Sequence, residues 1–98
     1  KNSSRSFDLS LSMPEISRFY GIIIRMYFDD HPPPHFHAEY GEHEVLYDVA
    51  NLRLFSGSLP HRAMRMVEEW SALHQNELLE VWKKVERQEP SFKIEPLP

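Results

Sequence analysis

The sequence contains no cysteine, which excludes a disulfide framework, a thiolate metal site and a thiol nucleophile. That usage fits a reducing compartment, so a cytoplasmic location is the expectation. Glycine is scarce, with three in the chain. They form neither a glycine-rich phosphate loop nor a Gly-x-Ser-x-Gly elbow, so P-loop nucleotide hydrolysis and serine-hydrolase chemistry fit poorly. No apolar run approaches the roughly 20 residues that a membrane-spanning helix needs. The serine-rich start of the chain lacks the basic-then-apolar layout of a signal peptide, and no membrane association is expected. An excess of positive charge is missing too. The formal net charge of −4 argues against indiscriminate binding to nucleic acid, which depends on many phosphate contacts.

What remains is an ordinary globular composition, 41% hydrophobic and 27% charged, which sets the chain apart from disordered proteins. Its 98 residues leave room for one core, burying roughly 60–65% of the unfolded surface. Met13-Pro14 reads as a translation start. Residues 1–12 are therefore expected to be an N-terminal extension or an expression remnant, residues 13–90 a single domain, and residues 91–98 an extended C-terminal tail. Phe7, Leu9 and Leu11 alternate, so the extension can dock as a further extended strand.

Residues 21–28 carry the clearest strand pattern. Ile22, Ile24, Met26 and Phe28 fall on one face, and Ile23, Arg25 and Tyr27 on the other. The run Asp-Asp-His-Pro-Pro-Pro at 29–34 breaks it, and consecutive prolines stiffen the loop. A second strand over 35–40 points Phe36, Ala38 and Tyr40 one way and His35, His37 and Glu39 the other. A turn at Gly41-Glu42 leads to a third strand over 44–49, and residues 52–55 supply a short fourth. Ser58 can cap the following helix, with Pro60 in its first turn. Apolar residues at Ala63, Val67, Trp70, Leu73, Leu78, Val81, Trp82 and Val85 make a helical stripe, interrupted by polar residues 74–76. Asn76 can cap a second segment, and Pro90 ends the helix. Phe92, Ile94 and Leu97 are candidate anchors for the tail. The expected fold is α+β: an antiparallel β-meander of about four strands packed against one long or kinked C-terminal helix.

The strongest chemical signal is the trio His31, His35 and His37, with Asp29, Asp30 and Glu39 alongside. Strand residues two apart project from the same face about 6.6–6.8 Å apart, so the imidazoles of His35 and His37 can converge on one atom. His31 or Glu39 can add a third ligand. Zinc, or another borderline divalent metal, takes such donors and keeps an open position where the site is catalytic. The same pair can instead hydrogen-bond to nearby carboxylates on a wet sheet face.

The alternation places Arg25, Tyr27, His35, His37, Glu39, Glu44, Asp48 and Arg53 on the face away from the helix. His35, His37, Glu39 and Arg25 are the candidates for acid/base work and anion binding there, as phosphodiester chemistry would need. Alternating charge on an exposed sheet face also serves solubility. Two weaker signals involve arginine. Arg18 sits beside Phe19 and Tyr20, as in single-strand nucleic-acid binders. His61, Arg62 and Arg65 crowd a helix start where the dipole disfavours cations.

Four segments taken together resemble the uncharacterised bacterial family of domain of unknown function 4160. They are MPEISRFYGIIIRM from Met13, HPPPHFHAEYG from His31, GSLPHRA from Gly57, and the helical Glu69-Trp70. The resemblance runs from Met13 to Leu97. It implies a short, free-standing bacterial protein encoded beside another small protein, an arrangement similar to toxin–antitoxin pairs. On that basis the chain is expected to be a small binding or regulatory module with a small protein partner. The alternative is a metal- or histidine-assisted nuclease or phosphodiesterase centred on His31, His35 and His37. The family brings no assigned catalytic residues. The positions here that match its motif are His31, Pro33, Pro34, His35, Phe36, His37 and Ala38, and the extension before Met13 has no counterpart in it.

Overall fold

A computed structural model describes residues 15–98; the alternating Phe7, Leu9 and Leu11 and the Met13-Pro14 pair lie outside them. The element order is β1 (Glu15–Phe19), β2 (Ile22–Arg25), β3 (His35–Tyr40), β4 (His43–Asp48), β5 (Arg53–Ser58), α1 (His61–Leu73) and α2 (Gln75–Glu86). The strands form one antiparallel sheet in the order β1-β2-β3-β4-β5, so each pairs with its neighbour in sequence. The α+β class and the meander are as expected, with five strands rather than four and two helices rather than one.

The additional strand is β1. Its pairing with β2 shifts between Glu15 and Ser17, and the resulting bulge puts both Ile16 and Ser17 inside. A bulge of this kind destroys the two-residue period by which strands are recognised. At the other edge β5 runs on through Ser56-Gly57-Ser58, which reads as a turn in sequence. Gly57 is required there: a Cβ on it would stand 2.1 Å from the Glu44 carbonyl oxygen, and its φ is +87°. Ser58 therefore belongs to β5 and does not cap the helix. Pro60 precedes α1, without a side-chain cap.

The buried faces follow the alternation. Ile22, Ile24, Met26, Phe36, Ala38, Val45, Tyr47 and Val49 join Ala63, Val67, Trp70, Leu78, Val81 and Val85 in a single core. The Phe36 ring lies 5.3 Å from Tyr47 and 5.8 Å from Trp70. The helical stripe breaks at His74, and Leu73, expected in the core, is 63% exposed at the end of α1. Neither Asn76 nor any other side chain caps α2. Gln75 instead ties the break to the sheet, its amide donating to the Val49 and Ala50 carbonyls at 2.8 and 3.1 Å.

Residues 91–98 pack along β1. The Ile94 amide donates to the Ile16 carbonyl at 2.8 Å, and the Trp70 indole N–H to the Glu95 carbonyl at 2.8 Å. Ile94 is buried and Leu97 rests on the core, whereas Phe92 is exposed. No helix among the described residues is long and apolar enough to cross a membrane.

Candidate metal centre

β2 ends at Arg25, three residues before its apolar pattern does, because Tyr27 and Asp30 close a turn on each other. The Asp30 amide donates to the Tyr27 carbonyl at 3.1 Å, and the Tyr27 amide donates to the Asp30 carboxylate at 3.1 Å. Aspartate is well suited to such a position, since its short side chain bonds to nearby backbone. The turn folds the Asp30 carboxylate back over β3, onto the face that carries His35 and His37.

There the three side chains meet. Asp30 Oδ2 lies 3.5 Å from His35 Nε2 and 3.2 Å from His37 Nε2. Among the described residues, Asp30, His35 and His37 form a group whose donor atoms all lie within 4.8 Å of one another. Donors bound tetrahedrally to zinc at ~2.0–2.1 Å stand about 3.3–3.4 Å from each other, so the two measured separations bracket the ideal. The side chains are 10%, 14% and 15% exposed for His35, His37 and Asp30, sheltered but reachable.

The outer ring nitrogens are each held by an acceptor. His35 Nδ1 lies 2.8 Å from the Pro33 carbonyl, which can only accept, so His35 donates from Nδ1. His37 lies between two carboxylates, its Nδ1 2.9 Å from Glu44 Oε2 and its Nε2 3.2 Å from Asp30 Oδ2. With each Nδ1 engaged by an acceptor, both Nε2 atoms turn toward one carboxylate oxygen of Asp30. Three electron-rich atoms facing one another repel unless positive charge sits among them, as a proton on each ring or as one cation. Outer N–H groups held by a carbonyl and a carboxylate are also how metal-ligating histidines are oriented.

The other sequence candidates take different places. His31 is exposed and stands outside the group, and Asp30 takes the third place in it. Glu39 also lies outside the group. It accepts from Arg25 Nε at 3.3 Å and from the Tyr27 hydroxyl at 3.5 Å, and the Tyr27 ring meets His37 edge-on at 4.5 Å. Burial, together with the Glu39 carboxylate, pushes the Tyr27 hydroxyl above the ordinary phenol range, so it keeps its proton at neutral pH. The face is not wholly away from the helices: Trp82 of α2 lies 5.3 Å from the His35 ring, which is buried as a result. Asp48 pairs with His35 in register but its carboxylate is engaged elsewhere. It is 2% exposed and turns into the β4–β5 connection, accepting from the Ala50 and Asn51 amides and the Asn51 side chain. Burial alone would raise its carboxyl, but these bonds and nearby Arg53 outweigh that and hold it below the ordinary range. Arg53 itself is 71% exposed.

The arginine signals separate. Arg18 is bound twice by Glu15, at 2.7 and 3.0 Å, while Arg62 and Arg65 lie exposed on the first turns of α1. His74 is partly buried against Trp70 at 5.5 Å and pairs with Glu77.

Residues 21–83 match the family described as Domain of unknown function (DUF4160). The chain belongs to this family. The match bears out the resemblance read in the sequence, over a shorter span. Comparison with curated proteins and with solved structures gave no match. The DUF4160 span contains Asp30, His35, His37 and Glu44 and ends one residue past Trp82. It excludes β1 and the tail, which supply one edge of the sheet and nothing of the centre.

Proposed function

We propose that this protein holds a divalent metal of the zinc class at Asp30, His35 and His37, and uses it in metal-assisted hydrolysis of phosphodiesters. One observation carries the reading: Asp30 Oδ2 stands at metal-ligand separation from both Nε2 atoms, all three donors lie within 4.8 Å of one another, and both outer imidazole nitrogens are already engaged. Two nitrogens and one oxygen suit zinc and its neighbours better than magnesium or calcium, which favour oxygen alone. Three protein ligands leave a position open, where such an ion polarises an oxygen and lowers the pKa of water. Asp30 is the one charged ligand, so a divalent ion there keeps one net positive charge, matched to a singly charged diester. Glu44, bound to His37, and the Tyr27–Glu39 pair beside it are groups able to move a proton.

The test is metal uptake by untagged, metal-stripped protein. Zinc titration is expected to show one equivalent bound, with Asp30→Ala, His35→Ala and His37→Ala each weakening it by more than ~100-fold, beyond the loss usual for an outer partner. His31→Ala should bind as the parent does. Folded parent protein that takes up no zinc, or ligand variants that keep it, would overturn the assignment. Loaded protein that leaves bis(4-nitrophenyl) phosphate intact would remove the hydrolytic part.

A second reading, a small bacterial regulatory module acting on a protein partner in the manner of a toxin–antitoxin half, is favoured by β5. All six of its residues are exposed, with Leu54 at 45% and Phe55 at 42%, and an open edge strand can accept another chain. Co-expression with the product of the adjacent gene should give a stable complex that Leu54→Lys weakens; independent migration of the two proteins counts against it.

A further inference from the structure

Resting on the metal reading above, we infer that the ligand of this centre is a phosphodiester bearing a flat aromatic group, such as a nucleobase or an aryl ring, and that Phe55 selects it. The register of β4 with β5 shows why Phe55 is placed for this. Leu46 faces Ser56 and Tyr47 faces Leu54, so Phe55 is the extra residue of a β-bulge. A bulge re-aims a side chain that regular pairing would send elsewhere. Here it sets the Phe55 ring 6.1 Å from the His35 imidazole at 61°.

Three aromatic rings thus border the two imidazoles: Tyr27 beside His37, and Trp82 and Phe55 beside His35. Their availability differs. Trp82 is 4% exposed and spends its surface on the core, while Phe55 remains 42% exposed. Its strand neighbours Ser56 and Ser58 are polar, and nothing in the core requires an aromatic ring at this position. An apolar ring left partly in water beside a set of metal donors offers a stacking surface for whatever the centre binds.

Diphenyl phosphate and dimethyl phosphate share the head group and differ in the rings, so their affinities for zinc-loaded protein isolate the stacking. Diphenyl phosphate is expected to bind about tenfold more tightly, in line with aromatic pairing. Phe55→Leu should abolish most of that preference, and Phe55→Trp should keep it, both with zinc affinity unchanged. Equal binding of the two diesters by the parent would overturn the aromatic ligand and the role of Phe55 together, and a preference that survives in Phe55→Leu would overturn the role of Phe55 alone. Loaded protein that binds neither diester would overturn the substrate class. Protein that takes up no zinc would overturn the metal reading and this inference with it.

Discussion

Glu44→Gln is the perturbation that separates an oriented metal ligand from a pair of surface histidines. Glu44 touches none of the donor atoms on Asp30 or His35; it accepts the Nδ1 proton of His37 at 2.9 Å. Glutamine keeps the length and an acceptor oxygen but removes the charge that makes the imidazole a better donor toward a metal. Outer partners of this kind typically contribute 10- to 100-fold in metal affinity. The Glu44 side chain is 47% exposed, and water screens its charge, so the effect belongs at the lower end. About tenfold weaker zinc binding is expected, equivalent to ~1.4 kcal/mol. Competition with a chromophoric chelator at fixed pH measures it, and circular dichroism of the stripped protein confirms that the fold is intact. Glu44→Gln with parental affinity, alongside a His37→Ala variant that has lost binding, would refute the idea that Glu44 tunes the site. Tighter binding by Glu44→Gln would refute the charge argument itself.

Three further outcomes concern the scaffold. Ser17 Oγ is buried without a hydrogen-bond partner, so Ser17→Ala should stabilise the fold by about 1 kcal/mol and raise Tm by about 4–8 °C; an unchanged or lower Tm in a thermal melt contradicts this. The Asp48 carboxyl is held below its ordinary value of 3.8, so the unfolded chain binds more protons there in acid. Its contribution to stability is present above about pH 4 and is lost as pH falls through its folded value. Urea unfolding at pH 6 and pH 3 should show a smaller acid loss in Asp48→Asn, and parallel losses would count against the assignment. Gly57→Ala places a methyl group against the Glu44 carbonyl at a positive φ, and should cost more than about 2 kcal/mol; a denaturation midpoint equal to the parent's would show that β5 yields there.

The pairing of His35 with His37 was legible in the sequence because strand alternation depends on nothing but neighbours. The burial of Phe36 and Ala38 followed from the same rule. Asp30 was not legible as a member of this group. Its carboxylate reaches His37 through a turn that ends β2 early, and the apolar alternation through Phe28 hides that turn. The signal available was Asp29-Asp30 just before the prolines, which marks a turn without saying where its side chains go. His31 looked equivalent to its neighbours by residue type, yet the chain leaves it facing solvent. β1 and the second half of β5 escaped recognition through a bulge in one and a serine-glycine stretch in the other. Those are features of pairing between strands, and one strand's sequence does not contain them.

The hydrogen bond from Ile94 to Ile16 joins residues that lie almost a full chain length apart, while every strand pairing in the sheet is between consecutive segments. Folding therefore divides into two kinds of closure. The hairpins meet over short loops and form early at little entropic cost, whereas the tail has to find β1 after most of the chain has been made. Until it does, the strand at that margin lacks its cover and the Trp70 indole lacks its acceptor. Residues 94–95 thus behave as a clasp on the β1 margin of the sheet, remote in the strand order from the β3 strand that carries the imidazole pair.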